Sequence, residues 1–136
     1  MPKANKLSEG GVKLLQEPQI AHLVTLMKNG APQPTPVWVD VEADGSAVLI
    51  NTAEGRVKSE NTERDPRVAV SVIDKANPFR FAVVRGTITE RRHEGAREHI
   101  DVLAKKYLGR DDYPNYQGEQ RVILVIRPDH VLEQGT

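Results

Sequence analysis

Residues 50–72, INTAEGRVKSENTERDPRVAVSV, hold the end of one strand, a tight turn at Gly55, a short helix over about 56–65 and a new strand from 66 or 67. A strand that feeds straight into a helix start aims the free N–H groups of residues 55–58 at whatever lies beyond it, because the first helical turn offers them no acceptor. Arg56 and Lys58 add two cations at the same end. Positive charge there opposes the helix dipole, and a bound anion resolves the conflict. Val57 is the only large aliphatic residue of the helix, so core burial alone does not hold it. The segment reads either as a phosphate-binding turn or as a solvated connector whose charges are incidental.

The other elements follow from periodicity. Ser8 caps a short helix running to about Glu17, with Val12, Leu14 and Leu15 inward and Pro18 as its stop. Residues 20–27, IAHLVTLM, form a strand closed by Lys28-Asn29-Gly30, Asn-Gly being a strong hairpin signal. The next strand, QPTPVWVDV over 33–41, follows Pro32 and contains Pro34 and Pro36; each proline removes one ladder donor, which assigns the strand to an edge or rim. Val37, Val39 and Val41 alternate with Trp38 and Asp40, so the only tryptophan lies on the face away from the valines. It is a ring neighbour for a ligand, a dimer contact or a core residue. Strands at 47–52, 67–74, 79–91 and 121–127 complete six, mainly antiparallel, with Gly86 marking a bulge or bend in the longest. One amphipathic helix, 94–108, turns Ile100, Leu103, Ala104 and Tyr107 inward and ends at Gly109. Residues 110–119 read as a mobile polar loop. The fold class is α+β, a small six-stranded barrel with short helices, in one domain spanning 1–136.

Composition narrows the chemistry. Only six residues are Phe, Trp or Tyr and 38% are hydrophobic, a thin core that a second copy of the chain would thicken. Nineteen basic and nineteen acidic residues cancel, so no long-range field attracts nucleic acid or anionic lipid, and a basic site must be local. Absence of cysteine excludes disulfides, thiolate zinc sites and a thiol nucleophile. His22, His93, His99 and His130 show neither i, i+4 metal spacing nor an H-E-x-x-H run, and no metal site is expected. His22, on a strand near the rim, is either a substrate contact or a structural histidine. No serine-hydrolase elbow or nucleotide-triphosphate loop occurs. MPKANKLSEGG has no signal-type apolar run and no segment approaches a membrane span, which reads as a cytoplasmic protein.

The pattern G-R-x-K-x-x-N-(x)3-D-P-R-V falls on Gly55, Arg56, Lys58, Asn61, Asp65, Pro66, Arg67 and Val68, after a strand ending at Thr52. With the PTPVWV rim, the VVRGT strand and the closing RVILVIRP strand, it resembles the pyridoxamine-phosphate-oxidase-like proteins of the FMN-binding split-barrel type, over roughly residues 8–132. The short form of the motif is most similar to the branch using the deazaflavin coenzyme F420. The resemblance implies a homodimer of split barrels with two cofactor sites at the subunit interface. It implies a phosphate held by Arg56 and Lys58, with Asn51, Thr52 and Asn61 adding polar contacts. The cofactor ring would lie against the rim residues Thr35, Pro36, Val37 and Trp38. The vitamin-synthesising oxidases of the superfamily carry a further C-terminal segment that is not found after Thr136, so pyridoxine-phosphate oxidation is the weaker assignment.

The expected activity is hydride transfer between reduced F420 and a small conjugated or quinone-like acceptor, with no side chain assigned as catalytic acid or base. The alternatives are an FMN-binding flavin reductase, or a non-enzymatic carrier of F420 or flavin. FMN ends at its phosphate whereas F420 continues as a lactyl-oligoglutamate chain, for which Lys3, Lys28, Lys75 and Arg80 are the candidate cations.

Overall fold

Three prolines decide how the sheet ends. In the computed structural model, which describes residues 5–136, the order is α1 (Glu9–Gln16), β1 (Ala21–Leu26), β2 (Pro32–Val37), β3 (Asp40–Val41), β4 (Val48–Ala53), α2 (Val57–Arg64), β5 (Arg67–Asp74), β6 (Asn77–Arg92), α3 (Ala96–Leu108) and β7 (Arg121–Gln134). The strands form one antiparallel sheet in the order β2-β1-β5-β6-β7-β4-β3. Consecutive β2 and β3 thus occupy opposite edges, joined only by Trp38 and Val39. So short a link spans about 10 Å. The sheet must curl until its edges nearly meet, and covalent continuity closes it.

Hydrogen bonds cannot finish the closure. Pro32, Pro34 and Pro36 occupy alternate positions opposite Leu26, Val24 and His22, so all three missing donors fall on one side of β2. Gln33, Thr35 and Val37 keep their N–H groups for β1, and the outer edge is left without donors. The barrel is therefore split. The single strand expected over 33–41 is broken at Trp38–Val39, which raises the count from six to seven. Helix α3 satisfies the broken ladder: the Tyr107 hydroxyl accepts the Val39 N–H at 3.0 Å and donates to Gln19 O at 2.6 Å. Lys106 Nζ donates to Leu15 O and Val39 O at 2.5 and 2.6 Å.

The interior is aliphatic, with Leu23, Val39, Ile50, Val70, Val84, Leu124 and Ile126 all buried, and α1 closes it with Val12, Leu14 and Leu15. Helix α3 packs outside, where Ala96 meets Ala47 and Leu49 of the β4 segment and Ile123 and Val125 of β7. Gly86 is a bulge as expected, because register shifts at Arg85/Gly86 and a Cβ at Gly86 would stand 2.5 Å from Arg127 O. Pro128 faces Gly86 across that irregularity, and β7 continues through it to Gln134 instead of stopping at residue 127. That extension carries Glu133 to the start of α1, where it accepts hydrogen bonds from the N–H and hydroxyl of the N-cap, Ser8. No helix among the described residues is long and apolar enough to cross a membrane.

Candidate functional site

β4 delivers the chain to α2 through a turn in which the Arg56 N–H donates to Ala53 O at 3.3 Å. Gly55 takes φ +89, and a Cβ there would meet nothing within 4 Å, so the glycine is needed for its backbone conformation and not for space. Arg56 is the N-cap of α2 and makes no side-chain capping bond, leaving the first-turn N–H groups uncapped. The acid nearest in sequence, Glu54, is spent elsewhere. It accepts from Ser59 Oγ at 2.6 Å and Arg91 NH2 at 2.8 Å, and its second oxygen lies 2.6 Å from His93 Nε2. Arg91 also reaches Ser59 O and Thr62 Oγ1, which pins α2 against β6. Among the described residues neither Arg56 nor Lys58 pairs with a carboxylate. Arg56 is exposed and Lys58 half-buried. Burial, with repulsion from Arg56 and Arg121, holds the Lys58 ammonium below the ordinary lysine range.

A third cation comes from the sheet. Antiparallel register sets Arg121 of β7 opposite Ala53, and alternation turns it outward on the same side as Asn51 of β4. Arg121 is 6% exposed; its Nε donates to Asn51 Oδ1 at 3.0 Å and its NH1 to Glu119 at 2.9 Å. Trp38, released from both edge strands, stacks on Tyr107 at 5.0 Å with 4° between ring planes, and Tyr113 meets it edge-on at 6.0 Å. Tyr113 also lies 5.3 Å from the Arg121 guanidinium. Trp38 and Tyr113 line a cleft of ≈ 390 Å³ together with Pro36, Val37, Asn51, Arg56, Lys58 and Arg121, so cationic and aromatic groups share its walls. Its size is in the range of small-molecule sites.

Of the nine residues expected at a site, Pro36, Val37, Trp38, Asn51, Arg56 and Lys58 converge on this cleft. Thr35, Thr52 and Asn61 do not line it. Thr35 is half-buried on β2. Thr52 alternates inward with Val48 and Ile50, on the face opposite Asn51, and its Oγ1 is buried without a partner. Asn61 is buried under α2, donating to Thr25 Oγ1 and Met27 Sδ and accepting from Arg64. Of the proposed tail cations, Arg80 is neutralised by Glu17 and Asp74, and Lys3 lies outside the described residues. Lys75 and His22 line an adjoining recess that shares Ile20, Trp38 and Leu108 with the cleft.

Sequence reasoning missed Arg121, Tyr113 and Asn115 in the cleft wall. For Arg121 a signal existed: an arginine opening the apolar run RVILVI is rarely buried unless paired. The loop read as mobile is in fact tied down. Tyr113 N donates to Asp101 at 2.8 Å, Arg97 binds Asp101 at 2.7 Å, and the Arg97 guanidinium lies 3.9 Å over the Tyr116 ring.

The donor set suits a phosphorylated planar cofactor, since two unpaired cations and a helix start face the same cleft as an aromatic wall. No curated protein matches the sequence. Among solved structures, one named F420 reductase shares 29% identity at a TM-score of 0.80, covering 93% of this chain and 98% of its own. A conserved hypothetical protein of Mycobacterium tuberculosis aligns at 22% identity and a TM-score of 0.75, over 98% and 89% of the two chains. Group A Streptococcus HupZ aligns at 17% identity and 0.70, over 95% of each. The last two speak for the fold alone. The family described as pyridoxamine 5'-phosphate oxidase matches residues 8–135, and with that span this chain belongs to it.

Proposed function

We propose that the protein is an oxidoreductase that binds F420 and reduces a small conjugated or quinone-like acceptor. The observation that carries the reading is the pair Arg56 and Lys58 at the start of α2, cations without carboxylate partners among the described residues, facing the same cleft as Trp38. The F420 reductase similar over nearly the whole chain favours the deazaflavin over FMN. When bound, reduced F420 supplies the hydride. Arg56 and Lys58 would hold its phosphate, with Arg121 adding charge from the sheet, and Pro36, Val37 and Trp38 would bound the ring. The Tyr113 side of the loop would limit water access. No acid or base is needed from the protein if the acceptor takes its proton from water.

Equilibrium titration decides between cofactors. F420 should bind more tightly than FMN, with a preference that narrows as salt rises, because contacts to the carboxylate tail are exposed and each contributes about 0–1 kcal/mol. Tighter FMN binding at both low and high salt would move the protein to a flavin reading. Failure of the reduced holoprotein to turn over any quinone-like acceptor would leave a carrier.

The protein is further proposed to work as a homodimer in its cytoplasmic setting. The outer face of β5, β6 and β7 supports this, since Ile73 and Leu132 are exposed there and stand opposite Phe81 and Val83. Phe79, at the same end, is 71% exposed. Sedimentation at micromolar concentration should show a dimer; a monomer that still binds F420 would overturn the assembly.

A further inference from the structure

A hydrogen-bond chain leads from the cleft to the split in the barrel. Arg121 Nε donates to Asn51 Oδ1 at 3.0 Å. Asn51 Nδ2 donates to Ala96 O at 2.9 Å and lies 3.0 Å from His99 Nδ1. On the far side of the ring, His99 Nε2 lies 2.9 Å from Asp40 Oδ2, and Asp40 Oδ1 accepts the Val41 N–H at 2.9 Å. Asn51 and Arg121 are buried, and the His99 side chain is 13% exposed, so water does not readily replace a lost partner.

Counting donors and acceptors assigns every proton. Arginine only donates, so the Asn51 oxygen faces Arg121. The Ala96 carbonyl only accepts, so the Asn51 amide nitrogen faces it and directs its second N–H at His99 Nδ1. That ring nitrogen must present a lone pair. The single imidazole proton then sits on Nε2 and is donated to Asp40.

We propose that His99 and Asp40 are positioning residues of the anion cleft: the neutral Nε2–H imidazole, held by Asp40, orients Asn51 and through it Arg121, and protonation of His99 uncouples Arg121 from the site. The proposal rests on the reading of the cleft as an anion site. An imidazolium carries N–H on both nitrogens. Arg121 meets the oxygen of the Asn51 amide and His99 meets its NH2, so an imidazolium would set N–H against N–H, and turning the amide toward His99 would set its NH2 against the Arg121 donors. The charged groups facing this ring are Asp40 from β3, with Lys106 of α3 beyond Asp40 and Arg121 of β7 beyond Asn51.

The expected sign is opposite to that of simple electrostatics. Added positive charge beside a cleft should tighten anion binding, whereas here acidification takes away the Asn51 contact that orients Arg121 and leaves it held by Glu119 alone. Sulfate is the probe, because it stays a dianion between about pH 8 and about pH 5, the window in which histidines change charge. Long-range proton–nitrogen NMR at about pH 8 should find His99 as the Nε2–H tautomer. Sulfate affinity of the wild-type protein should fall about tenfold on acidification, as for one charge-assisted contact. His99→Gln should flatten that profile. Asp40→Asn, which withdraws the counter-charge, should shift the fall to lower pH and serves if His99→Gln does not fold. An Nδ1–H tautomer, or wild-type affinity that is constant or rises on acidification, overturns the proposal. Absence of sulfate binding at any pH, or binding unchanged in Arg56→Ala and Lys58→Ala, instead overturns the anion reading beneath it.

Discussion

Arg80 and the Arg56–Lys58 pair are cations of one small barrel in opposite circumstances. Arg80 grips Glu17 with two parallel bonds, at 2.8 and 3.0 Å, and reaches Asp74 at 2.9 Å, tying the end of α1 to the β5–β6 turn. Its guanidinium is held well above the ordinary arginine range by those same carboxylates. Lys58 is also partly buried, yet its neighbours are Arg56 and Arg121. The second arrangement does not stabilise the fold, because desolvating a cation beside other cations costs energy that no carboxylate among the described residues offsets. Matched charge marks Arg80 as a structural cation, and the unmatched pair is where the proposed anion would bind.

The largest effect that can break this contrast is loss of the anion site. Arg56→Ala with Lys58→Ala should weaken F420 binding by on the order of a thousandfold, since each charge-assisted contact contributes about 1.5–3 kcal/mol. Calorimetry should show the thermal midpoint unchanged or raised, as mutual repulsion is removed. A midpoint that drops would make these residues structural.

Arg80→Met should do the reverse, lowering the midpoint by roughly 5 °C while sparing F420 affinity. It should also blunt acid sensitivity. Glu17 is held below its ordinary range by the Arg80 bond, and Asp74 first by the Ala76 N–H and then by Arg80. Depressed carboxylates contribute stability above their unfolded pKa values, and it is lost as pH falls toward the lowered ones. Chemical denaturation from about pH 7 down to about pH 3 should therefore show a shallower acid limb in the variant.

The smallest effect concerns Thr52, whose buried hydroxyl has no partner. Thr52→Val should raise stability by about 1 kcal/mol with F420 affinity intact. A clear loss of affinity would show that the hydroxyl is reserved for the ligand, and would join Thr52 to Arg56 and Lys58.

Much of the site was legible because its signals are local. The turn at Gly55, the cations at a helix start and the proline-rich rim lie within short stretches, where backbone conformation and charge placement need no distant partner. Ser8 as an N-cap and Gly86 as a bulge belong to the same class. Alternation could also have separated Thr52 from Asn51, although motif matching grouped them. What tertiary structure alone decided is everything that depends on register. The sheet curls because β2 and β3 are consecutive yet at opposite edges, which breaks the expected long strand at Trp38. Pairing of β4 with β7 brings Arg121 beside Asn51 across 70 residues of sequence, and α3 packing sets His99 against both Asn51 and Asp40. Sequence by itself determined where the chain could turn, cap and carry unmatched charge; which distant side chains share one hydrogen-bond network was settled by strand pairing, since a one-residue slip would turn each of them to the other face.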